Sequence, residues 1–313
     1  MTLLAIQNAF AEDAFPSRTI KLVVSYGAGG SLDAMARVLA TELGKLVEQP
    51  VVVENIAGAG GTLGVRRVVD AAPDGYTLLM GVTSDVALAP SSNPTVKYRA
   101  GDLQAVAKVG TSGIVMIGRP GLTANTLAEL IGLARSQPGT LRYGTSGAGS
   151  LQHLAMETLK LKTGVNIPFI PYKSATQVVA DVIGGHLDLG VVGLPAVLPH
   201  ISGGKVKAFA ILSRQRDAGN RNIPAAAEMP ALQALDFNLW TGIFAPRGTP
   251  TLIVDKLNAS IAAALSRPEL VEKYSQMGVE IAAPATSQQF SQYVAAEERK
   301  LRVAYERSGI KEH

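Results

Sequence analysis

The sequence contains no cysteine, which excludes disulfides, thiolate nucleophiles and cysteine metal ligands together. Aromatic residues make up only 5% of it, with a single tryptophan, and they do not alternate with basic runs as they do in nucleic-acid-binding chains. No apolar run approaches the roughly 18 residues needed to span a bilayer. The four histidines do not fall at metal-ligand spacing, so neither a metal centre nor any other cofactor is expected. A phosphate-binding Gly-Lys-Ser/Thr motif is also missing.

What is present describes a well-packed α/β protein. The 313 residues are 47% hydrophobic and 17% charged, enough chain for two compact units and ample core for both. The 29 basic and 25 acidic residues give a formal charge of +4. They are dispersed, which favours a small anionic ligand over nucleic acid. The first residues end in Ala9-Phe10-Ala11 before an acidic Glu12, a small-x-small pattern read here as the stub of an export signal, residues 1–11, cleaved after Ala11. A chain carrying such a signal is expected to be exported from the cytoplasm.

Along the chain, β-branched runs alternate with helical periodicity. A strand is expected at 20–24, a glycine-rich turn at 25–31, a helix at 32–46, strands at 51–54 and 77–80 and a helix at 64–71. The same order restarts with a strand at 141–144, a helix at 151–161, a strand at 167–170, a helix at 177–183 and a strand at 187–192. A further strand is expected at 206–212, then a polar loop over 214–229, an apolar run at 239–244 and helices at 250–265, 268–277 and 287–308. Strand-helix alternation predicts mainly parallel sheets flanked by helices. The restart predicts two lobes, the first from 12–110 plus 238–313 and the second from 111–237. Crossings near 106–117 and 236–244 would form a hinge that closes a cleft.

The two restarts can be superposed. Gly27-Ala28-Gly29-Gly30-Ser31-Leu32-Asp33 lies over Gly147-Ala148-Gly149-Ser150-Leu151-Gln152-His153. A glycine turn entering a helix offers unpaired backbone N–H groups and a partial positive charge, which suits a carboxylate. Ser31 is expected to cap the first helix and Asp33 to sit in its first turn. His153 is expected either to touch ligand or to partner the backbone. Two rival readings use the same segments. A dinucleotide fingerprint is favoured by Glu54 at a strand end but broken by Leu32 where a third small residue is required. A hydrolase elbow with Ser146 as nucleophile is spoiled by Ala148 in its last position, although His200, downstream of Asp181 and Asp188, leaves the triad order open.

Several runs carry a family resemblance: Val24-Ser-Tyr-Gly-Ala-Gly-Gly-Ser31, Pro50-Val-Val-Val-Glu-Asn-Ile-Ala-Gly-Ala-Gly-Gly61, Ala72-Pro-Asp-Gly-Tyr-Thr-Leu-Leu79, Tyr143-Gly-Thr-Ser-Gly147, Pro171-Tyr-Lys173, Gly184-Gly-His-Leu-Asp188 and Leu198-Pro-His-Ile201. In these the chain resembles the Bug-type receptors of tripartite tricarboxylate transporters, a branch of the periplasmic binding proteins. The resemblance implies a two-lobed Venus-flytrap fold, no catalysis, no metal, and a partnership with membrane transporter subunits. It implies that a small organic carboxylate is gripped by the two glycine loops, through Tyr26, Ala28, Gly29, Gly30, Ser31 and Asp33 on one side and Ser146, Ala148, Gly149 and Ser150 on the other. Thr83, Ser84 and Lys173 are secondary candidates. Where many relatives carry an acid, this chain has Val192, expected as an apolar wall. An absent acid disfavours an ammonium group and points to a non-amino dicarboxylate, including an aromatic one such as terephthalate. A ligand-presenting partner for a membrane sensor would need the same cleft.

Overall fold

The computed structural model describes residues 15–310; the expected cleavage point after Ala11 lies outside them. The first part of the chain forms β1 (Ile20–Val24), α1 (Ser31–Val47), β2 (Val51–Asn55), α2 (Thr62–Val69), β3 (Thr77–Val82) and the short α3 (Ala89–Ser92). A long strand, β4 (Leu103–Gly118), leads into α4 (Leu127–Ser136), β5 (Tyr143–Thr145), α5 (Leu151–Thr163), β6 (Phe169–Pro171), α6 (Ala175–Ile183), β7 (Leu189–Gly193), α7 (Leu194–Ser202) and β8 (Lys207–Ile211). The remainder is β9 (Asn238–Pro246), α8 (Thr251–Leu265), α9 (Pro268–Gln276), β10 (Glu280–Ile281) and α10 (Ser287–Ser308).

Each parallel core follows from its sequence. Ile20, Leu22, Val23 and Val24 of β1 are almost wholly buried, as expected of a short β-branched strand covered on both faces. It pairs in parallel with β2 and β3. Helix α1 buries Leu32, Met35, Ala36, Leu39 and Leu43, the spacing that makes one apolar stripe. In the second core β5 pairs in parallel with β6 and β7.

The antiparallel strands make the connection between the cores. From Leu103 to Gly113, β4 runs beside β9. From Ile114 to Gly118 it lies between β7 and β8. One strand therefore serves both sheets, and β9, paired to β3 as well as β4, returns the chain to the first. Two register shifts in the β4–β9 ladder bend β4 where it passes across, as bulges do. Gly110 is required there, because a Cβ would lie 2.7 Å from the carbonyl oxygen of Glu280 on β10.

Three apolar clusters build the interior. One belongs to β1, α1, α8 and α9, and another to α6, α7 and the strands they cover. The largest spans both cores, joining Val23 and Leu79 to Leu154 and Leu189. Its link is α10, whose Phe290, Val294 and Leu301 are buried and which packs on both β4 and α5. Among the described residues no helix is long and apolar enough to cross a membrane.

Candidate ligand-binding site

The turns after β1 and β5 have the same internal lock. In the first, Gly29 adopts φ 82°, and its N–H donates to Asp33 Oδ2 at 2.9 Å. In the second, Gly149 adopts φ 70°, and its N–H donates to His153 Nδ1 at 3.0 Å. Each glycine needs the left-handed region that side chains avoid. Each acceptor is four residues on, in the first turn of the following helix. Each turn is thereby fixed from below, while the helix start faces outward.

Asp33 is buried and held from several sides. Asn55 Nδ2 donates to its Oδ1 at 3.0 Å, and Arg37 Nε donates to Oδ2 at 3.1 Å. The Arg37 guanidinium, followed by the Gly29 N–H, holds its carboxyl below the usual range. His153 is equally constrained, stacked on Phe169 with ring centroids 4.0 Å apart. Because Nδ1 accepts from Gly149, a neutral ring carries its proton on Nε2, which faces Glu157 Oε1 at 3.7 Å. Of the two roles expected for His153, the structure gives it the backbone partnership. The caps differ between the halves. Gly30, not Ser31, is the N-cap of α1 and offers no side-chain bond, so Ser31 is already helical and its hydroxyl is not used as a cap. In α5 Ser150 caps, accepting from His153 N–H at 3.2 Å and donating to Gly147 O at 2.9 Å.

The two helix starts meet across a cleft of about 990 Å³. Tyr26, Gly30, Ser31, Asp33 and Ser84 line it from one side, and Ser146, Ala148, Gly149, Ser150 and Lys173 from the other. Ser112, Leu239 and Thr241, on β4 and β9, also line it. Among the lining residues Lys173 is the one cation and Asp33 the one acid. The cleft therefore presents helix N-termini and hydroxyls, with one positive side chain and one carboxylate whose oxygens are already taken by donors.

Some expected residues lie elsewhere. Ala28 and Gly29 are exposed in the first turn but are not part of the lining. Val192 is not a cleft wall: it is wholly buried near the end of β7, paired with Val115, and belongs to the apolar cluster beneath α6 and α7. Strand alternation turns its side chain away, and its neighbour Gly193 lines the cleft instead. Thr83 is buried too, its Oγ1 accepting from Trp240 N–H at 2.8 Å, which makes it a clasp on β9. The ring of His153, the histidine that follows the elbow, accepts from Gly149 N–H through Nδ1 and faces Glu157 through Nε2.

The sequence reading missed Asn55, Arg37 and the turn at Gly58–Gly61. Asn55 donates to both Asp33 and the Tyr26 carbonyl, the latter at 3.1 Å, and so ties the end of β2 to the first loop. In the turn, Ala59 takes φ 46° between glycines at positive φ, and Tyr26 OH donates to Gly60 O at 3.2 Å. The run of four small residues before α2 was the available signal.

Two α/β lobes joined by shared strands, with paired helix starts facing one cleft, define the class: this is the periplasmic-binding-protein fold. The chain matches the tripartite tricarboxylate transporter family receptor (TctC) over residues 35–309, and it belongs to that family. Protein BugT of Bordetella pertussis is 38% identical over 270 residues, covering 85% of this chain and 82% of BugT. Among solved structures, Rpa4515 of R. palustris with adipate superposes with a TM-score of 0.85 at 30% identity, covering 95% of this chain and 99% of that one. MatC from Rhodopseudomonas palustris with bound malate gives a TM-score of 0.81 at 30% identity, covering 93% of this chain and all (100%) of that one.

Proposed function

We propose that the protein is a periplasmic receptor that closes its lobes, 12–110 plus 238–313 and 111–237, on a small organic carboxylate, delivers it unchanged to membrane subunits of a tripartite transporter, and works as a monomer. The observation that carries this reading is the pair of locked glycine turns facing one cleft, since unpaired N–H groups at helix starts suit anionic oxygens. The solved relatives with malate and adipate support a carboxylate.

The ligand is a non-amino dicarboxylate. An ammonium group would need a free acid in the cleft, and Asp33 is already engaged by Arg37, Asn55 and Gly29. A rigid aromatic diacid such as terephthalate places one carboxylate toward each helix start.

Thermal unfolding against mono-, di- and tricarboxylates, aromatic acids and amino acids tests the reading. A ligand that binds only the folded state stabilises it by about 2.7 kcal/mol at a hundredfold excess over Kd. A rise in midpoint with dicarboxylates and none with amino acids is expected. A larger rise with amino acids would refute the ligand class, and no rise with any carboxylate would refute the receptor reading.

A further inference from the structure

One ionisable group close to the cleft has no part in the account above. Asp85 follows β3 and is wholly buried, with 0% of its surface exposed. Its Oδ1 accepts from Val82 N–H at 2.8 Å, and its Oδ2 accepts from the Ser25 hydroxyl. Ser25 is the residue at which β1 turns into the first glycine loop, so this carboxyl ties the ends of β1 and β3 directly beneath that loop. Gly61 packs between it and the ring of Tyr26, which lines the cleft: a Cβ on Gly61 would lie 3.1 Å from both Asp85 Oδ2 and Tyr26 Cζ.

The groups facing Asp85 carry no compensating charge. They are the Ser25 hydroxyl, the backbone N–H groups of Val82 and Val86, and the phenols of Tyr26 and Tyr98, the latter donating to the Asp85 carbonyl. No lysine, arginine or histidine among the described residues forms an ion pair with it. Among the described residues, no buried carboxyl accepts from the corresponding position of the second half-site. Thr145, which superposes on Ser25, is likewise buried, but its hydroxyl bonds to Gly147 O at 3.0 Å and to Ser150 Oγ at 3.1 Å.

We infer that Asp85 is a positioning residue for the first half-site and that the protein takes up a proton on it when an anionic ligand enters, so that capture tightens as pH falls. The inference rests on the carboxylate reading of the cleft. A ligand carboxylate docking on the first loop brings a like charge toward a buried group that has no cation to offset it, and like charge favours the protonated form. Once protonated, Oδ2 donates to Ser25 Oγ. The Ser25 hydroxyl then stops donating to Asp85 and the charge beneath the loop disappears. Burial already pushes the Asp85 carboxyl up to about 7 in the ligand-free protein, so the exchange falls in the neutral range.

The sign follows from linkage. Well below neutrality Asp85 is protonated with or without ligand, and affinity is at its upper plateau. As pH rises through the free-state value, binding must recruit a proton and weakens, until both states are ionised. Each unit by which ligand raises the titration makes about a tenfold difference between the plateaus.

Isothermal titration with adipate and with terephthalate, in two buffers of different ionisation enthalpy between about pH 6 and pH 8.5, reads both quantities. The wild type should bind several-fold more weakly at the alkaline end and take up a fraction of a proton near neutrality. Asp85→Asn mimics the protonated acid, so it should bind with the acid-plateau affinity throughout and take up none. Ser25→Ala, which removes a donor to the carboxylate, should move the wild-type transition to higher pH and provides a second variant if the first folds poorly. Binding without proton uptake in the wild type, or an Asp85→Asn protein that keeps the wild-type pH dependence, would overturn the role of Asp85 while leaving the carboxylate site standing. Failure of the wild type to bind these two acids or any other carboxylate of the panel at any pH would overturn both.

Discussion

Replacing Asp33 by alanine tests the lock that holds the first glycine turn. The carboxylate accepts from Gly29 N–H, Asn55 Nδ2 and Arg37 Nε at 2.9, 3.0 and 3.1 Å. Hydrogen bonds to a charged group are worth about 1.5–3 kcal/mol each when the partner is left without an alternative. The Arg37 side chain is 55% exposed and recovers most of its loss in water, so its share is about 0–1 kcal/mol. With water also reaching part of the exposed turn, the total comes to about 2–4 kcal/mol, a fall in melting midpoint of roughly 3–6 °C for a chain of this size. Released from its acceptor, Gly29 no longer needs its left-handed conformation, and carboxylate affinity should fall at least tenfold, by about 1.4 kcal/mol or more. Asp33→Asn keeps one acceptor and should lose about half as much stability. The Asp33 carboxyl is held below its ordinary pKa, chiefly by Arg37. The charge-linked part of its stability is therefore full above the unfolded value of about 3.9 and is lost as pH falls through the lower folded value, so the gap between wild type and Asp33→Ala should narrow as pH falls below about 4. Denaturant melts across pH, combined with calorimetric titration of adipate, measure all of this. An Asp33→Ala protein that is destabilised yet binds adipate unchanged would show that the lock does not set the site.

Thr83→Val removes the acceptor of the buried Trp240 N–H and should cost about 1–3 kcal/mol in chemical denaturation while leaving carboxylate affinity unchanged; a large loss of affinity would return Thr83 to the ligand site. Trp240 is the chain's single tryptophan and sits on β9 between Phe244, Phe290 and Tyr293, so its emission should change on adding ligand, with the same midpoint as calorimetry. Saturation without any change in emission would argue against rearrangement at this strand.

Much of the architecture is legible in the sequence because its signals are local. β1, α10 and the strand-turn-helix of each half come from β-branched runs, helical spacing and glycine turns, and their expected limits match Ile20–Val24 and Ser287–Ser308. Helix α7 has no clear signal in the sequence, since Pro195 and Pro199 interrupt helical spacing; here Pro195 lies in the first turn, where no N–H is needed, and Pro199 is tolerated inside. The superposition of the two glycine loops anticipated a shared geometry, but not its cause. That Asp33 and His153, chemically unlike, accept the same kind of bond is visible only once the turns are folded. Val192 was misplaced because a strand's alternation fixes which neighbour faces the cleft, and a one-residue difference reverses the face. Asn55 and Asp85 act across strands 22 and 60 residues away from their partners, distances over which sequence spacing carries no information.

The most direct test of the central claim is a structure of the protein with the dicarboxylate that stabilises it most. One carboxylate within about 3.2 Å of backbone N–H groups at the start of α1, and the other against the Ser146–Ser150 turn or Lys173, is the predicted result. A ligand bound away from both helix starts, or hydrolysed at Ser146, would contradict it.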